Sequence, residues 1–233
     1  MKIITHSDIN AVKRAAKAAR KTGSSLSYMQ WLDHFARQNH QVSGFHELQK
    51  ICDNGLLMSD DIQELSGGIV HCRFCGCNFV AQLDCDRAEH KKRHRQCEQF
   101  LSAMGYLPQQ HDRRETTKRQ GYMLMSSADT EQQRTGALAV LAGHFDRSLS
   151  AAIDGDYWRG HPDFDEYIAM ALPNAGFTPA HIKSRLAAEF GEYPSFFNDS
   201  YWKPGRGKVA RSAPPKDRNG TRKKLFMTLD LSQ

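Results

Sequence analysis

Two cysteines and two histidines in the middle of the chain constrain its fold more than any other feature. Cys72 and Cys75 are separated by two residues, and His90 and His94 by three, with fourteen residues between the two pairs. A Cys-x-x-Cys turn directs both sulfurs at one point, and two histidines four positions apart share one face of a helix. Four such donors close a tetrahedron around Zn²⁺ and leave no position open for a substrate. The sequence therefore predicts a structural zinc site.

Phe79 follows the second cysteine at the place where a small zinc finger keeps its core aromatic residue. The whole pattern resembles a single C2H2-type zinc finger. The Cys75-Gly76 pair and the basic run from His90 to His94 are most similar to the finger of cohesin acetyltransferases. This resemblance covers residues 70–97 only, and it implies a ββα-like zinc finger over residues 66–101. The rest of the chain shows no acetyl-CoA-binding loop, so the acetyltransferase activity is not carried over.

The predicted finger departs from fingers that read bases. Its Cys-to-His gap is two residues longer than in the standard finger. The positions that usually reach base edges fall on Leu83, Asp86 and Glu89. Carboxylates are poor readers of guanine and are repelled by phosphate. We therefore expect a structural zinc unit, or one that presents a protein-binding surface.

Three more cysteines surround the predicted site: Cys77, Cys85 and Cys97. They are expected to be small, buried or half-buried apolar residues, although Cys97 lies three residues after His94 and could replace it as a ligand. The N-terminus runs into a polar helix without a signal peptide, so we expect a cytoplasmic protein, nuclear if the source is eukaryotic, with reduced cysteines.

The positive charge is concentrated near the C-terminus. Residues 203–224 hold nine basic residues and one acid, in a chain whose net charge is +6. Glycine and proline predict that residues 203–220 are disordered, within a basic tail over residues 203–233 that ends in an apolar strand. The tail is expected to contact a DNA or RNA backbone; a solubilising tail, or one that folds onto acidic helices, is the alternative. The candidate nucleic-acid-binding residues are Lys203, Arg206, Lys208, Arg211, Lys216, Arg218, Arg222, Lys223 and Lys224.

The fold class predicted from apolar periodicity is mainly α. Residues 1–58 are expected to form a helical bundle, with a helix-turn-helix as the alternative. The first helix has a basic face, which either binds phosphate or is merely solvated. A capping box at Ser27 and Gln30 marks the start of the second helix. Residues 102–128 are predicted to be a polar, basic linker, and residues 129–202 an acidic helical domain.

The sequence constrains the function of the protein less than it constrains the fold. The sequence has no Gly-rich phosphate loop and no Gly-x-Ser-x-Gly elbow, and no apolar run reaches membrane-spanning length. We therefore expect a nonenzymatic zinc-binding accessory or adaptor protein that contacts nucleic-acid backbone through its basic tail. A protein–protein interaction or structural module without a nucleic-acid role is the alternative, and an enzyme with an unrecognised site stays open.

Overall fold

The computed structural model describes residues 4–22, 26–55, 61–191 and 220–229. The protein is mainly α, as predicted, with one small sheet in the described residues. The chain divides into two compact units, Met1–Ala103 and Met104–Gln233. Within the described ranges, no helix has the length and apolar character needed to cross a membrane.

The first unit begins with three helices, α1 (His6–Lys21), α2 (Tyr28–His40) and α3 (Phe45–Gly55). Thr5 and Asp8 form a capping box at the start of α1. The predicted capping box of Ser27 and Gln30 is present at α2. Apolar side chains at helical spacing pack the three helices together, which gives the predicted bundle. Its buried core is Ile9, Val12, Ala16, Leu32, Ala36, Phe45, Leu48 and Cys52.

A three-stranded antiparallel sheet and a long helix follow. The sheet contains β1 (Ile62–Glu64), β2 (Ile69–Cys72) and β3 (Asn78–Val80) in that order, and α4 spans Asp84–Met104. The order β2-β3-α4 matches the expected ββα arrangement. Strand β1 was not predicted; it pairs Ile62 with Cys72 and so adds a third strand beside the Cys-x-x-Cys turn.

The second unit contains α5 (His111–Met125), α6 (Thr130–Asp154), α7 (Phe164–Ala171), α8 (Ala180–Phe190) and α9 (Gly220–Thr228) among its described residues. Asp129 and Asp163 accept backbone N–H groups at the starts of α6 and α7, which satisfies donors that no helical partner reaches. Helix α6 is the central element. It is buried along most of its length, including Leu138, Leu141, Phe145 and Leu149.

The predicted linker over residues 102–128 is wrong for most of its length, because α5 occupies residues 111–125 and packs along α6. The two helices approach closely at glycines. A Cβ on Gly136 would lie 2.5 Å from the carbonyl oxygen of Gly121, and a Cβ on Gly121 would lie 2.6 Å from that of Gly136. Backbone-to-backbone packing of this kind leaves no apolar stripe in the sequence.

The predicted terminal strand is also wrong where the structure describes it. Residues 220–228 form α9, and its buried side chains are Arg222 and Leu225, followed by Leu229 just past its end. These residues are spaced three and four apart, which is the period of a helix and not of a strand. Of the segment predicted to be disordered, residues 203–219 lie outside the described residues, and Gly220 begins α9.

Candidate metal centre

The four predicted ligands come together. Cys72, Cys75, His90 and His94 are all buried, and their ligand atoms lie within 4.8 Å of one another. No other such group occurs within the part of the chain that the structure describes. Two thiols and two imidazoles at this separation could hold one metal ion.

Local backbone geometry forms the cysteine half of the centre. Cys72 ends β2, and its carbonyl oxygen accepts from the N–H of Gly76 at 2.7 Å, which closes the turn. Gly76 has a φ of 70°, a left-handed conformation that suits glycine. Arg93 Nε donates to the Cys75 carbonyl at 2.9 Å. Helix α4 therefore holds the cysteine turn directly, besides carrying both histidines.

His90 shows most clearly that the centre fits a metal. Its ring stacks on Phe79, with centroids 4.1 Å apart. Both ring nitrogens are buried, and neither has a hydrogen-bond partner among the described residues. Burying an imidazole in this way is costly, because its nitrogens have lost their hydrogen bonds to water and have gained no others in exchange. A metal ion bound through one nitrogen would remove much of that cost.

His94 lies between the thiols and a carboxylate. Its Nδ1 is 3.6 Å from Cys72 Sγ, and its Nε2 is 3.6 Å from Glu98 Oε1 on the next turn of α4. The ring also packs on Phe74, with centroids 4.5 Å apart. A carboxylate on the far nitrogen of a ligating histidine holds the ring in orientation and raises its basicity.

The electrostatics favour a thiolate at the centre. The hydrogen bond with Cys75 outweighs the effect of burial and, with the nearby side chains of His90 and His94, lowers the pKa of Cys72 to about 2. The same hydrogen bond, with burial, raises the pKa of Cys75 well above its ordinary value. Burial disfavours the charged form of His94, but Cys72 and Glu98 outweigh it and raise its pKa to about 9. One thiolate is therefore ready for a cation, and the second thiol and the protonated His94 would each release a proton on binding.

Glu98 extends the centre into the helical bundle. Its Oε2 lies 3.5 Å from Nδ1 of His6 on α1, and that nitrogen lies 3.7 Å from Cys52 Sγ on α3. Burial and the nearby Arg95 charge lower the pKa of His6, while burial and Glu98 raise that of Cys52 to about 12. The bundle (1–58) and the finger (66–101), predicted as separate domains, thus belong to one compact unit.

The other cysteines stay outside the centre. Cys77 is half-buried, Cys85 is exposed and Cys97 is buried, and none of them belongs to the four-residue group. The structure therefore places His94, not Cys97, with the other three candidate ligands. Sequence reasoning did not find Glu98, although its position four residues after His94 on one helix face is a usable signal.

The predicted nucleic-acid-binding residues have three different outcomes. Lys203, Arg206, Lys208, Arg211, Lys216 and Arg218 lie outside the described residues. Lys223 and Lys224 are exposed on α9. The prediction is wrong for Arg222, which is buried and forms an ion pair with Asp146. Its guanidinium packs between the rings of Tyr106 and Phe226, each 4.6 Å away. Its charge is already neutralised inside the fold, so it is not available to a phosphate.

No protein-family model matches the chain, and comparisons with curated proteins and with solved structures find no match. The likeness to a C2H2 finger therefore rests on the residues and their geometry alone.

Proposed function

We propose that the protein is a nonenzymatic accessory or adaptor protein whose first unit is held together by a structural Zn²⁺ ion, and which contacts nucleic-acid backbone through charge. The observation that carries the zinc part is the buried Cys72, Cys75, His90 and His94 group with its unpartnered His90 nitrogens. Two thiolates and two imidazoles suit zinc among the common divalent ions.

The closed ligand set supports a structural role. Four protein donors fill a tetrahedron, whereas catalytic zinc sites keep one position for water or substrate. A bound ion would join the cysteine turn after β2 to the histidine face of α4. Through Glu98 and His6, the same helix contacts α1. Zinc in this position stabilises the unit as a cross-link does, and its binding free energy adds to folding.

The finger itself supports backbone contact over base reading. Asp86 Oδ2 accepts from the N–H of Val80 at 2.9 Å, so this side chain has a role inside the finger. Glu89 is exposed and acidic. A carboxylate can accept a hydrogen bond but cannot donate one to the acceptors of guanine, so Asp86 and Glu89 are poor base readers at these positions of α4. Nucleic-acid contact is therefore assigned to exposed cations elsewhere in the chain.

One observation favours the alternative, a protein-interaction module. Leu65, Ile69 and Leu83 are exposed on the finger, by 44%, 39% and 49% respectively. The Leu65 N–H donates to the Ile69 carbonyl, and Ile69 pairs with Val80, whose carbonyl accepts from Leu83. These apolar side chains thus lie at one end of the sheet, where a protein partner could cover them.

Hydrogen exchange of the full chain before and after chelation tests the zinc part. We expect amides in β2, β3 and α4 to lose protection when the metal is removed, while α6 in the second unit stays protected. Unchanged protection of α4 after complete metal removal would contradict a structural role.

Fluorescence anisotropy with a labelled duplex of arbitrary sequence tests the nucleic-acid part. We expect binding at low salt, with an affinity that falls steeply as salt rises because condensed counterions are released from the phosphates. No binding at low salt would leave the protein-interaction module as the better account.

A further inference from the structure

We propose that the exposed cations of helix α1 form the surface on which the first unit binds the backbone of a nucleic-acid duplex. This rests on the nucleic-acid part of the proposed function and names its surface. The α1 surface is defined by Lys13, Arg14, Lys17, Arg20 and Lys21, all of which are exposed.

The helix geometry places these five charges together. At about 100° per residue, they fall within an arc of about 120° on the α1 wheel. The buried residues Ile9, Val12 and Ala16 occupy a different arc, where α1 packs into the bundle. The bundle core therefore fixes the orientation of α1 and leaves the basic arc outward.

The charges of the α1 surface are not neutralised by their neighbours. Asp8 is the only acid in α1, and it is held in the capping box with Thr5. None of the five cations forms an ion pair with a residue that the structure describes. In the second unit, by contrast, Arg134 pairs with Glu189, and Arg185 pairs with Glu131, both at 2.6 Å. Lys13 Nζ lies 5.8 Å from the centroid of the Phe45 ring, a contact that leaves its positive charge in place. A run of cations without ion pairs on one helix is a feature of polyanion-binding surfaces.

The basic surface continues from α1 onto α4. Lys13 and Arg95 line the same cavity of about 220 Å³, together with His6 and Asp53. Asp53 forms an ion pair with Lys91 Nζ at 3.1 Å, so these two residues together add no net charge beside Arg95. Lys92 on α4 is exposed as well. Two elements of the metal-containing unit thus contribute cations.

The composition of α1 points to a duplex backbone. The helix contains no aromatic residue on which an unpaired base could stack, which single-strand binders need. Ala11 and Ala18 are exposed beside the basic arc, and their small side chains do not obstruct the approach of a phosphate strand. Lys13, Lys17 and Lys21 repeat at intervals of about 6 Å, given a rise of 1.5 Å per residue. Such a surface binds without sequence preference and with strong salt dependence.

Two matched double variants test this surface. Lys17→Gln/Lys21→Gln removes two exposed lysines of α1, and Lys223→Gln/Lys224→Gln removes two exposed lysines of α9. Duplex affinity is measured by anisotropy across about 50 to 200 mM salt. We expect the α1 variant to lose about tenfold in affinity at low salt, and its log-affinity against log-salt slope to become shallower by about two. Circular dichroism and metal content should match the wild type, because both positions are exposed.

The control variant separates the possible failures. We expect Lys223→Gln/Lys224→Gln to keep the wild-type slope. Equal losses in both variants, or a loss in the α9 variant alone, would overturn the α1 surface while leaving nucleic-acid binding intact. A wild-type protein that does not bind the duplex at low salt would instead overturn the nucleic-acid part of the proposed function, and the α1 surface with it.

Discussion

Arg222 on α9 and Asp146 on α6 form a buried, bidentate ion pair. The Nε atom of Arg222 donates to Oδ1 at 3.1 Å, and an Nη atom donates to Oδ2 at 2.7 Å. The backbone N–H of Gln109 also donates to Oδ2, at 2.9 Å. A charged pair with its remaining hydrogen-bonding capacity satisfied fixes α9 on the second unit, so this arginine serves the fold.

Replacing Arg222 by alanine should destabilise the second unit by about 3–5 kcal/mol, because Asp146 would be left buried and charged without its partner. Denaturant unfolding checks this value. Lys223→Ala, one residue further on and exposed, should change the unfolding free energy by no more than about 0.5 kcal/mol. Similar unfolding curves for the two variants would rule out the buried pair.

Gly136→Ala should destabilise the α5–α6 contact. The new Cβ would lie 2.5 Å from the Gly121 carbonyl oxygen, so the two helices must separate. The cost of overpacking, about 1–3 kcal/mol, outweighs the usual gain from replacing a helical glycine. Gly160→Ala is the control, because a Cβ there meets nothing within 4 Å. Thermal unfolding should show a lower Tm for Gly136→Ala alone, and a raised Tm would contradict the close approach.

Glu98→Ala should weaken metal binding by about 10- to 100-fold, because His94 would lose the carboxylate that orients its ring. Competition with a chromophoric chelator measures the affinity. Glu89→Ala, on the exposed face of the same helix, should bind as tightly as the wild type. Equal affinity in the two variants would show that Glu98 has no part in the centre.

Stability of the second unit should fall as the pH drops from about 6.5 towards 4. Burial lowers the pKa of His161 to about 4, so the folded state favours the neutral ring. The structure holds that neutral form: Nδ1–H donates to the Pro162 carbonyl at 2.9 Å, and Nε2 faces Ser148 Oγ at 2.5 Å. Since the unfolded histidine titrates near 6.5, the contribution of His161 to stability is fully present above that pH and is lost as the pH falls towards 4.

The size of this effect follows from the shift. The unfolded pKa of His161 is near 6.5 and the folded pKa is about 4. This difference corresponds to a loss of roughly 3 kcal/mol in the free energy of unfolding as the pH falls from 6.5 to 4. Titration of the His161 ring by NMR gives the folded pKa directly. A value near 6.5, or equal acid sensitivity in His161→Gln, would contradict the assignment.

The candidate metal centre could be predicted from sequence because its ligands are set by local spacing. Cys72 and Cys75 share one turn, and His90 and His94 share one helix face, so only the docking of α4 on the sheet had to be supplied by the fold. Glu98 was missed because a single acid on a polar helix is usually solvated. Its link to His6 joins positions 92 residues apart in the chain, a contact that no local pattern encodes.

The two elements that were wrongly predicted, α5 and α9, depend on contacts with residues distant in sequence. Helix α5 was predicted to be a linker because its buried residues are Thr117, Gly121 and Met125, which do not form an apolar stripe. Helix α9 was predicted to be a strand because Leu225, Met227 and Leu229 are apolar residues at every second position. Its buried helical face instead consists of Leu225, Leu229 and Arg222. An arginine counts as buried only once Asp146, 76 positions earlier in the chain, is known to neutralise it.

Metal content of the purified full chain tests the central claim most directly, measured for the wild type, Cys72→Ser, His90→Ala and the exposed-site control Cys85→Ser. We expect one zinc per chain in the wild type and in Cys85→Ser, and no bound zinc in Cys72→Ser or His90→Ala. Cobalt substitution should give the absorption of a tetrahedral site with two sulfur ligands. A wild-type chain without zinc, or full retention of zinc in His90→Ala, would contradict this claim.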